Sequence, residues 1–506
     1  MTDEPAGADT RREHLDVLVV GAGLSGIGAG HYLQAECPWA SYAIFEARDA
    51  IGGTWDLFRY PGIRSDSDMF TLGYSFRPWS GEKAIADGPS ILHYIRETAA
   101  VEGIDRHIRF NTRIVRADWS TDDARWVVTA ERTDTGETVE VTAGFIFSCS
   151  GYYRYDAGYT PDFEGTERFE GRIVHPQHWP DDLDYDGRRV VVIGSGATAI
   201  TLVPALADRA AHVTMLQRSP TYIASLPAKD PVAALLRRIL PVRWSGPAIR
   251  WFKALTTQAS YQLSRRWPGV MKRILIAGLK KQLPAGYDIE THFTPRYDPW
   301  DQRLCVVPNG DLFAAIRAGR ASVVTDRIAT FTEKGLLLES GRELEADVIV
   351  TATGLELLFL GGIEMTVDGE KVDVAERLVY KGMMLEGVPN LAVAVGYTNA
   401  SWTLKCDLTC DYVTRLLNHM RVTGERECMP VNADASVSPA PLLGLTSGYV
   451  QRSADRFPKQ GTRQPWQVHQ SYLRDYRALK MSPIEDAAMV FSNPAPADAA
   501  PMRAAS

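Results

Sequence analysis

Two glycine-rich turns, each between a short apolar segment and a helical stretch, constrain the fold of this chain more than any other feature. The first turn, GAGLSG at residues 21–26, follows the apolar residues 16–20, and the second, GSGATA at residues 194–199, follows residues 190–193. A helix and a second strand are predicted after each turn, which makes two βαβ units of the dinucleotide-binding kind. We therefore predict an α/β chain with two dinucleotide-binding, Rossmann-like domains.

The first turn has the residues that a dinucleotide requires. Gly21 permits the tight turn, Gly23 lets the backbone approach a pyrophosphate, and Gly26 lets the helix pack closely on the strand. Glu46 ends the second strand of this unit. A carboxylate at that place accepts hydrogen bonds from a ribose diol and repels a 2′-phosphate. The first site is therefore predicted to bind the ADP half of FAD.

The second turn differs at two places. Its third glycine is replaced by Ala199, which is a tolerated change, and its second strand ends in Gln217 and Arg218 without an acid. Arginine binds a phosphate through a charge-assisted, bidentate fork. NADPH is therefore predicted here, in preference to NADH. The predicted coenzyme contacts are Gly194, Ser195, Gly196, Ala197, Thr198, Gln217 and Arg218.

Domain boundaries follow from two further apolar strands, residues 145–148 and 347–351, which both end in a short turn closed by glycine. Each marks a crossing between domains. The predicted FAD-binding domain is discontinuous (1–150 and 356–506), as is the NADP-binding domain (151–222 and 301–355). Residues 223–300 show helical periodicity, several tryptophans and many basic residues, and are predicted to be a helical insertion in the NADP domain, near substrate or the surface.

Composition excludes several classes of protein. The 506-residue chain has a formal charge of −7, which argues against a nucleic-acid partner. No apolar run approaches the roughly 20 residues of a membrane span, and residues 1–14 lack the apolar core of a signal peptide. We therefore expect a cytoplasmic protein. The cysteine spacing predicts no metal site, and the Ala- and Pro-rich tail after Ser482 is expected to be disordered at its end.

A third motif lies between the two glycine turns and has the form F-x-G-x-x-x-H-x-x-x-W-P. Its residues are Phe169, Gly171, His175, Trp179 and Pro180. This pattern resembles the fingerprint of the Baeyer-Villiger monooxygenases, which are class B flavoprotein monooxygenases. Residues 52–68, 300–310 and 396–404 resemble one group within that family, the ethionamide-activating monooxygenases of mycobacteria. The resemblance covers nearly the whole chain, apart from the first ten residues and the tail.

The resemblance implies an FAD- and NADPH-dependent enzyme in which a C4a-peroxyflavin, formed with O₂, converts ketones to esters or lactones. Oxidation of sulfur in thioethers or thioamides is implied as well, so the expected substrate is a small apolar ketone or sulfur compound. Arg303 aligns with the arginine that stabilises the anionic peroxide, and Asp66 aligns with the carboxylate that orients this arginine. His175 is assigned a conformational role at a domain junction, not proton abstraction.

Further cofactor contacts are implied in the same way. Val115 would contact the adenine of FAD through its backbone. Many family members have Lys before the catalytic arginine, whereas Gln302 stands here, so Arg218 must carry more of the NADPH preference. The remaining implied contacts are Ser25, Thr54, Trp55, Asp56 and Leu57 along FAD, and Arg64, Ser65 and Asp66 near NADP.

Two other functions remain open at this stage. A flavin monooxygenase that acts mainly on nucleophilic nitrogen or sulfur shares both glycine turns, although the WP ending and the arginine–aspartate pair favour the Baeyer-Villiger interpretation. A non-catalytic flavoprotein sensor would also keep the flavin site. It would have no need of Arg303 or of a complete NADPH site.

Residues 231–287 form a basic segment with 11 Lys or Arg and no Asp or Glu. Met271, Ile274, Leu275 and Leu279 recur at helical spacing and form one apolar face. We favour the interpretation that this face packs on the protein's own core while the charge steers NADPH. The alternative is weak, peripheral contact with an anionic membrane at its inner face, since basic charge, an apolar stripe and tryptophan are typical of interfacial helices.

Overall fold

The first glycine turn joins a buried strand to a helix, as predicted. The computed structural model describes residues 12–494. Val17 to Val20 are buried on both faces, which is typical of a strand inside a parallel sheet. The elements of this part are β1 (Glu13–Val20), α1 (Leu24–Glu36), β2 (Tyr42–Phe45), α2 (Thr54–Leu57), α3 (Met69–Leu72), α4 (Gly88–Val101), β3 (Ile108–Arg109), β4 (Thr112–Ser120), β5 (Arg125–Arg132) and β6 (Thr138–Ser148).

The second glycine turn again connects a strand to a helix, and the basic segment follows it. The elements here are β7 (Arg172–Val174), β8 (Arg189–Ile193), α5 (Ala197–Leu206), β9 (His212–Gln217), β10 (Ile223–Leu226), α6 (Pro231–Ile239), α7 (Val242–Arg266), α8 (Pro268–Lys280), α9 (Ile289–Phe293), β11 (Cys305–Pro308), α10 (Asp311–Arg317), β12 (Ala321–Thr325), β13 (Ile328–Thr332), β14 (Gly335–Leu338), β15 (Glu343–Glu345) and β16 (Val348–Thr351).

The last part of the chain returns to the first domain. Its elements are β17 (Glu364–Val367), β18 (Glu370–Lys371), β19 (Val379–Tyr380), β20 (Met384–Leu385), β21 (Leu391–Val393), α11 (Trp402–Thr423), β22 (Glu427–Pro430), β23 (Pro439–Pro441), α12 (Gly448–Gln451), β24 (Lys459–Gly461), α13 (Tyr472–Asp475) and β25 (Met489–Ser492). β25 pairs with β22, so the tail has regular structure up to this strand. The predicted disorder at the end of the tail lies outside the described residues.

Two sheets carry the two glycine turns. A nine-stranded sheet has the order β18-β17-β4-β5-β6-β1-β2-β3, with β21 also paired to β6. β1 lies between β2 and β6 and runs parallel to both. A five-stranded parallel sheet has the order β12-β9-β8-β16-β7. In each sheet the turn follows a central strand whose neighbours come from both sides, which is where open α/β sheets bind their ligands.

The insertion is helical from residue 231 to 293, but it begins differently from the prediction. Residues 223–226 form β10, which pairs in parallel with β11, and Ile223 at its start is buried in the core of the second domain. The insertion touches both domains. Ala233 and Ile249 of α6 and α7 pack against Phe70 and Ala84 of the first domain, whereas Leu279 of α8 belongs to the core of the second.

The helices of this fold differ in length and polarity. α7, with 25 residues, is a long helix, yet its sequence is too polar to qualify. Within residues 12–494, no helix has both the length and the apolar character needed to cross a membrane.

Candidate active site

One cavity of about 1110 Å³ extends from the first glycine turn to the second. It is somewhat larger than the roughly 300–1,000 Å³ of common small-molecule pockets. Most of the predicted site residues meet along it, so the two dinucleotide sites open into a single space. The predicted residues on its walls are Gly21, Gly23, Ser25, Glu46, Thr54, Trp55, Arg64, Ser65, Asp66, Gly194, Ser195, Gly196, Ala197, Thr198, Arg218 and Arg303.

The first turn is closed tightly against the strand before it. Gly21 has a φ of +94°, which favours glycine. A Cβ on Gly26 would lie 1.8 Å from the carbonyl oxygen of Gly21, so only glycine fits. Gly23 has more room, with its nearest neighbour at 3.6 Å. Gly26 therefore acts through packing and does not line the cavity, whereas Gly23 leaves its backbone open to a pyrophosphate.

Glu46 is fixed by the backbone around it. One carboxylate oxygen accepts a hydrogen bond from Ala22 N at 2.7 Å, and the other accepts one from Arg48 N at 2.9 Å. Burial raises the pKa of the Glu46 carboxyl above its usual range, against these hydrogen bonds. Each oxygen retains acceptor capacity after these contacts. The carboxylate can therefore receive two hydroxyl groups of a ribose from the cavity.

The second turn is more open. Gly194 has a φ of +135°, and a Cβ there would lie 2.3 Å from Ala352 O. Gly196, in contrast, has no atom within 4 Å of the position of its missing Cβ. Ser195 Oγ donates to Ser219 O at 2.9 Å and so ties the turn to the end of β9. The free space over Gly196 fits a phosphate group at the start of α5.

Arg218 and Gln217 are adjacent in sequence but point in different directions. Arg218 is exposed, lines the cavity, and has no carboxylate partner within residues 12–494. Gln217 is buried, and its amide donates to His292 O at 2.8 Å and to Thr325 Oγ1 at 2.9 Å. The predicted coenzyme contact of the Gln217 side chain is therefore not supported. Instead, this side chain holds β9 against α9 and β12.

Arg303 and Asp66 form a bidentate ion pair on the cavity wall. Arg303 Nε lies 2.9 Å from Asp66 Oδ2, and its terminal nitrogen donates to Asp66 Oδ1 at 3.0 Å. The nearby Asp66 carboxylate raises the pKa of the Arg303 guanidinium further, so it stays charged. About a third of this side chain, 32%, is exposed, and it faces the cavity. Asp66 therefore fixes the guanidinium of Arg303 on the wall of the cavity that the two predicted dinucleotide sites share.

Several predicted contacts are held in place around this pair. Arg64 forms an ion pair with Asp311, the first residue of α10. Ser65 Oγ donates to Ser67 O at 2.8 Å. Trp402 Nε1 donates to Ser25 Oγ at 2.8 Å and so connects α11 to the first glycine turn. An ion pair and hydrogen bonds within the protein therefore fix the positions of these side chains.

The predicted flavin contacts Asp56, Leu57 and Val115 do not line the cavity. The Asp56 carboxylate is buried and paired with Arg48 at 2.6 Å and with Arg96 at 2.7 Å, because burial requires partners for its charge. Leu57 packs against the core of the second domain. Val115 sits at an irregularity where the register of β4 shifts, next to residues of that strand that do reach the cavity.

The fingerprint histidine is hydrogen-bonded on both sides of its ring, next to the turn that follows β16. His175 Nδ1 accepts a hydrogen bond from Gln177 N at 3.2 Å, so Nε2 carries the proton and donates to Gly354 O at 3.2 Å. Burial lowers the pKa of His175, which favours this neutral form. Both ring nitrogens are therefore occupied, which supports a conformational role and not proton abstraction.

The other fingerprint residues are packing residues. Phe169 belongs to a buried cluster with Phe331. Gly171 permits a close approach, since a Cβ there would lie 2.4 Å from Asp347 O. Trp179 contacts Tyr185 edge to face at 6.4 Å, and Pro180 O accepts a hydrogen bond from Leu183 N. These four residues therefore pack within the predicted NADP-binding domain.

Among the residues of the cavity wall that sequence reasoning did not predict are four charged or aromatic side chains near the predicted site residues. Tyr153 and Tyr449 lie close enough to Arg303 for its charge to affect their pKa values, which burial nevertheless raises. Arg452 stacks on Tyr159 with 3.4 Å between guanidinium carbon and ring centre. Arg327 follows β12, the neighbour of β9. Only Arg327 had a signal in the sequence, an arginine just after a buried strand.

Two glycine turns of the dinucleotide-binding kind that open into one cavity, with Arg303 on its wall, are typical of flavoproteins that use a pyridine nucleotide. A model of the flavin-binding monooxygenase-like family matches residues 84–395, and a model of an NAD(P)-binding Rossmann-like domain matches residues 19–80. The chain therefore belongs to the flavin-binding monooxygenase-like family.

Individual relatives agree with this assignment. The FAD-containing monooxygenase EthA of Mycobacterium tuberculosis is 55% identical over 486 residues, which are 96% of this chain and 99% of the relative. EthA of Mycolicibacterium smegmatis is 52% identical over 95% of this chain and 97% of its own. Among solved structures, an oxidized steroid monooxygenase bound to NADP shares the fold with a TM-score of 0.75, 23% identity, and coverage of 95% of this chain and 100% of that chain.

The predictions of the family, of the α/β fold class and of a flavin-dependent monooxygenase are confirmed. The protein is an enzyme that uses molecular oxygen and an organic substrate. The alternative of a non-catalytic flavoprotein sensor is therefore wrong.

Proposed function

We propose that this monooxygenase converts small apolar ketones to esters or lactones, and that it also oxidises sulfur in thioethers or thioamides. FAD and NADPH are its cofactors. The observation that carries the proposal is the bidentate pair of Arg303 and Asp66 on the wall of the shared cavity. The division into an FAD domain (1–150 and 356–506) and an NADP domain (151–222 and 301–355) is part of the same proposal.

The residues of the cavity fit both cofactors. Gly23 and Glu46 offer an open backbone and a ribose acceptor for the ADP half of FAD. Gly196 and Arg218 offer space for a pyrophosphate and a cation for a 2′-phosphate. Bound FAD, once reduced by NADPH, supplies the activation of O₂. The protein itself contributes binding, orientation and charge.

Arg303 selects the kind of oxygen transfer. A ketone is an electrophile, so the oxygen donor must attack it in an anionic form, and the negative charge then passes to the carbonyl oxygen. A fixed cation beside the donor would stabilise both. Asp66 is a positioning residue because it holds the guanidinium in one orientation. The buried ring of Tyr152 and the half-buried ring of Tyr153 lower the local polarity, which strengthens the interaction. Nucleophilic sulfur and nitrogen substrates do not require this cation.

The substitution Arg303→Ala tests the proposal. We expect anaerobic reduction of the flavin by NADPH to continue at nearly the wild-type rate. Ester formation from a ketone should fall by about 10²–10³-fold, as when a transition-state donor is removed. Oxidation of a thioether by the same variant should fall much less.

A remote arginine supplies the control. Arg188 is exposed and lies outside the cavity, so Arg188→Ala should leave all three rates unchanged. Normal ester formation by Arg303→Ala would remove this residue from the mechanism. An equal loss with ketone and thioether would favour the alternative of a general N- or S-oxygenase.

We also propose that the enzyme makes weak peripheral contact with the cytoplasmic face of an anionic membrane, which would bring apolar substrates near the cavity. The support is a surface of the helical insertion, residues 223–300, that differs from the rest of the molecule. Which residues form that contact is a separate question that does not depend on the oxygenation chemistry.

A further inference from the structure

Exposed apolar side chains are concentrated on the helical insertion. Among the described residues, eighteen large apolar side chains are exposed, and eleven of them lie between Val232 and Ile274. Soluble proteins usually scatter such residues singly. The predicted packing of the α8 face on the core is only partly correct, because Leu279 is buried whereas Ile274 is 56% exposed.

The end of α6, the short connection and the start of α7 together form the most exposed apolar part of this surface. We call this segment, residues 235–244, the α6–α7 tip. Val242 is 93% exposed, Ile239 is 61% exposed and Trp244 is 58% exposed. Arg238 precedes Ile239 in the chain, and Arg243 lies between Val242 and Trp244. The guanidinium of Arg243 stacks on the ring of Trp244 at 5.6 Å. An apolar turn between arginines is therefore presented to solvent.

An apolar stripe continues from the tip along α7. At about 100° per residue, Trp244, Phe252, Leu255 and Leu263 fall within an arc of about 100° on one side of the helix. Another side of α7 is fixed to the first domain. There the buried Arg250 donates to Gly73 O at 2.6 Å and to Asp407 Oδ2 at 2.6 Å. The helix cannot rotate to bury the stripe without breaking these bonds.

The basic charge of this segment divides into two groups. Five of the eleven cations have partners within the protein, for example Lys253 with Asp230 and Arg265 with Asp301. The other six are exposed and have no acidic partner in the described part of the chain. These six are Arg238, Arg243, Arg266, Arg273, Lys280 and Lys281.

We propose that the α6–α7 tip inserts into the headgroup region of an anionic lipid bilayer, with the stripe of α7 along the surface. Apolar side chains gain burial at the acyl boundary, tryptophan favours the interface, and free arginines attract anionic headgroups. A second copy of this chain fits less well, because symmetrical contact would bring two sets of unpaired cations together. The charge is therefore complementary to lipid and not to itself.

Vesicle binding by the full-length holoenzyme tests this assignment. We expect co-sedimentation with vesicles that contain phosphatidylglycerol at low salt, loss of binding at high salt, and little binding to phosphatidylcholine alone. The triple substitution Ile239→Ser, Val242→Ser and Trp244→Ser should abolish most of the binding. Flavin content should stay unchanged, because none of these residues lines the cavity.

Matched controls separate the tip from general effects. Val422 is 86% exposed at the end of α11, so Val422→Ser should bind vesicles as the wild type does. Neutralising Arg238 and Arg243 with glutamine should weaken the partition coefficient roughly fivefold per residue. The same change at Arg188 and Arg463, which are exposed elsewhere, should have little effect.

A second readout reports insertion directly. Brominated lipids should quench part of the tryptophan fluorescence of the wild type, and Trp244→Phe should lose that part. No sedimentation at low salt, equal binding to neutral vesicles, or wild-type binding by the triple variant would each overturn the proposal. So would a dimer that the triple substitution dissociates in the absence of lipid binding. A salt-dependent loss of kcat/KM for NADPH, again without lipid binding, would assign the charge to coenzyme steering.

Discussion

The two glycine turns occupy equivalent places in their βαβ units, yet one is closed and the other is open. At the first turn, the missing Cβ of Gly26 would lie 1.8 Å from Gly21 O. At the second, the equivalent position holds Ala199, whose methyl group is fully buried without displacing the turn. The same strand–turn–helix topology therefore accommodates a Cβ atom at the third position of the second turn and excludes one at the third position of the first turn.

The residues at the ends of β2 and β9 differ in the same way: the one near the first turn is buried and fixed, and the one near the second turn is exposed. Glu46 is buried and held by two backbone N–H groups, so its position is set before a ligand binds. Arg218 is exposed and has no carboxylate partner in the described chain. A preformed, buried site suits a cofactor that stays bound, whereas an open site with a free cation suits a coenzyme that exchanges in every cycle. The difference in local packing therefore agrees with the proposal that FAD stays bound at the first turn and NADPH exchanges at the second.

Exchanging the residues at the third positions should have the largest effect. Gly26→Ala forces the backbone of the first turn apart, so we expect a loss of more than about 3 kcal/mol in the free energy of unfolding. FAD should be lost during purification. Ala199→Gly should cost only roughly 1–2 kcal/mol, from helix propensity and one buried methyl group. Flavin content and denaturant unfolding measure both, and an FAD-loaded Gly26→Ala of wild-type stability would show that the two turns are equivalent.

Removal of the Arg218 side chain should affect coenzyme choice alone. A charged hydrogen bond to a phosphate is worth about 1.5–3 kcal/mol, so Arg218→Ala should weaken NADPH binding roughly 10- to 150-fold. NADH use and flavin content should barely change. Titration of the holoenzyme with each coenzyme gives the measurement. An equal loss for NADH and NADPH would mean that Arg218 does not bind the 2′-phosphate.

Arg327 should show a smaller effect in the same direction. Thr325 pairs in register with Gln217, and Asp326 N donates to Gln217 O at 3.0 Å, so Arg327 follows the strand beside Arg218. It is exposed and lines the cavity. Exposed charge interactions contribute up to about 1 kcal/mol, so Arg327→Ala should raise the KM for NADPH by at most about fivefold. An increase in the KM for NADH of the same size would show that Arg327 does not discriminate between the coenzymes.

Local patterns predicted the turns and their strands well. Gly26 and Glu46 contact neighbours in their own βαβ unit, so the spacing alone predicted their places in the turn, and their contacts with FAD stay predictions. The coenzyme contact of Gln217 stays a prediction, although its side chain is turned away from the cavity, because successive strand residues point to opposite faces and Arg218 takes the face toward the cavity. The assignment of Asp56 to the flavin missed its pairing with Arg96, which comes from α4, forty residues later. Contacts of that kind have no signature in a single sequence.

The surroundings of Arg303 also contain contacts that a single sequence does not predict. Resemblance identified Arg303 and Asp66, but Tyr449 reaches the site from a segment that carries no motif. The predicted helical insertion was correct in kind, yet its first residues, 223–226, form β10 because a partner strand some eighty residues later pairs with them. Contacts between segments far apart in sequence therefore determine both the surroundings of Arg303 and the start of the insertion.

The anchoring of Arg250 limits how the insertion could be exchanged between homologous enzymes. Its guanidinium spans the carbonyls of Thr71 and Gly73 and the carboxylate of Asp407, which lie far apart in sequence. A chimera that transplants residues 223–300 as a cassette would break this arrangement unless the recipient has an acid at the position of Asp407. The orphaned charge would then be buried in the recipient, at a cost of about 3–5 kcal/mol. Crossover points for recombination should therefore keep α7 and α11 from the same parent.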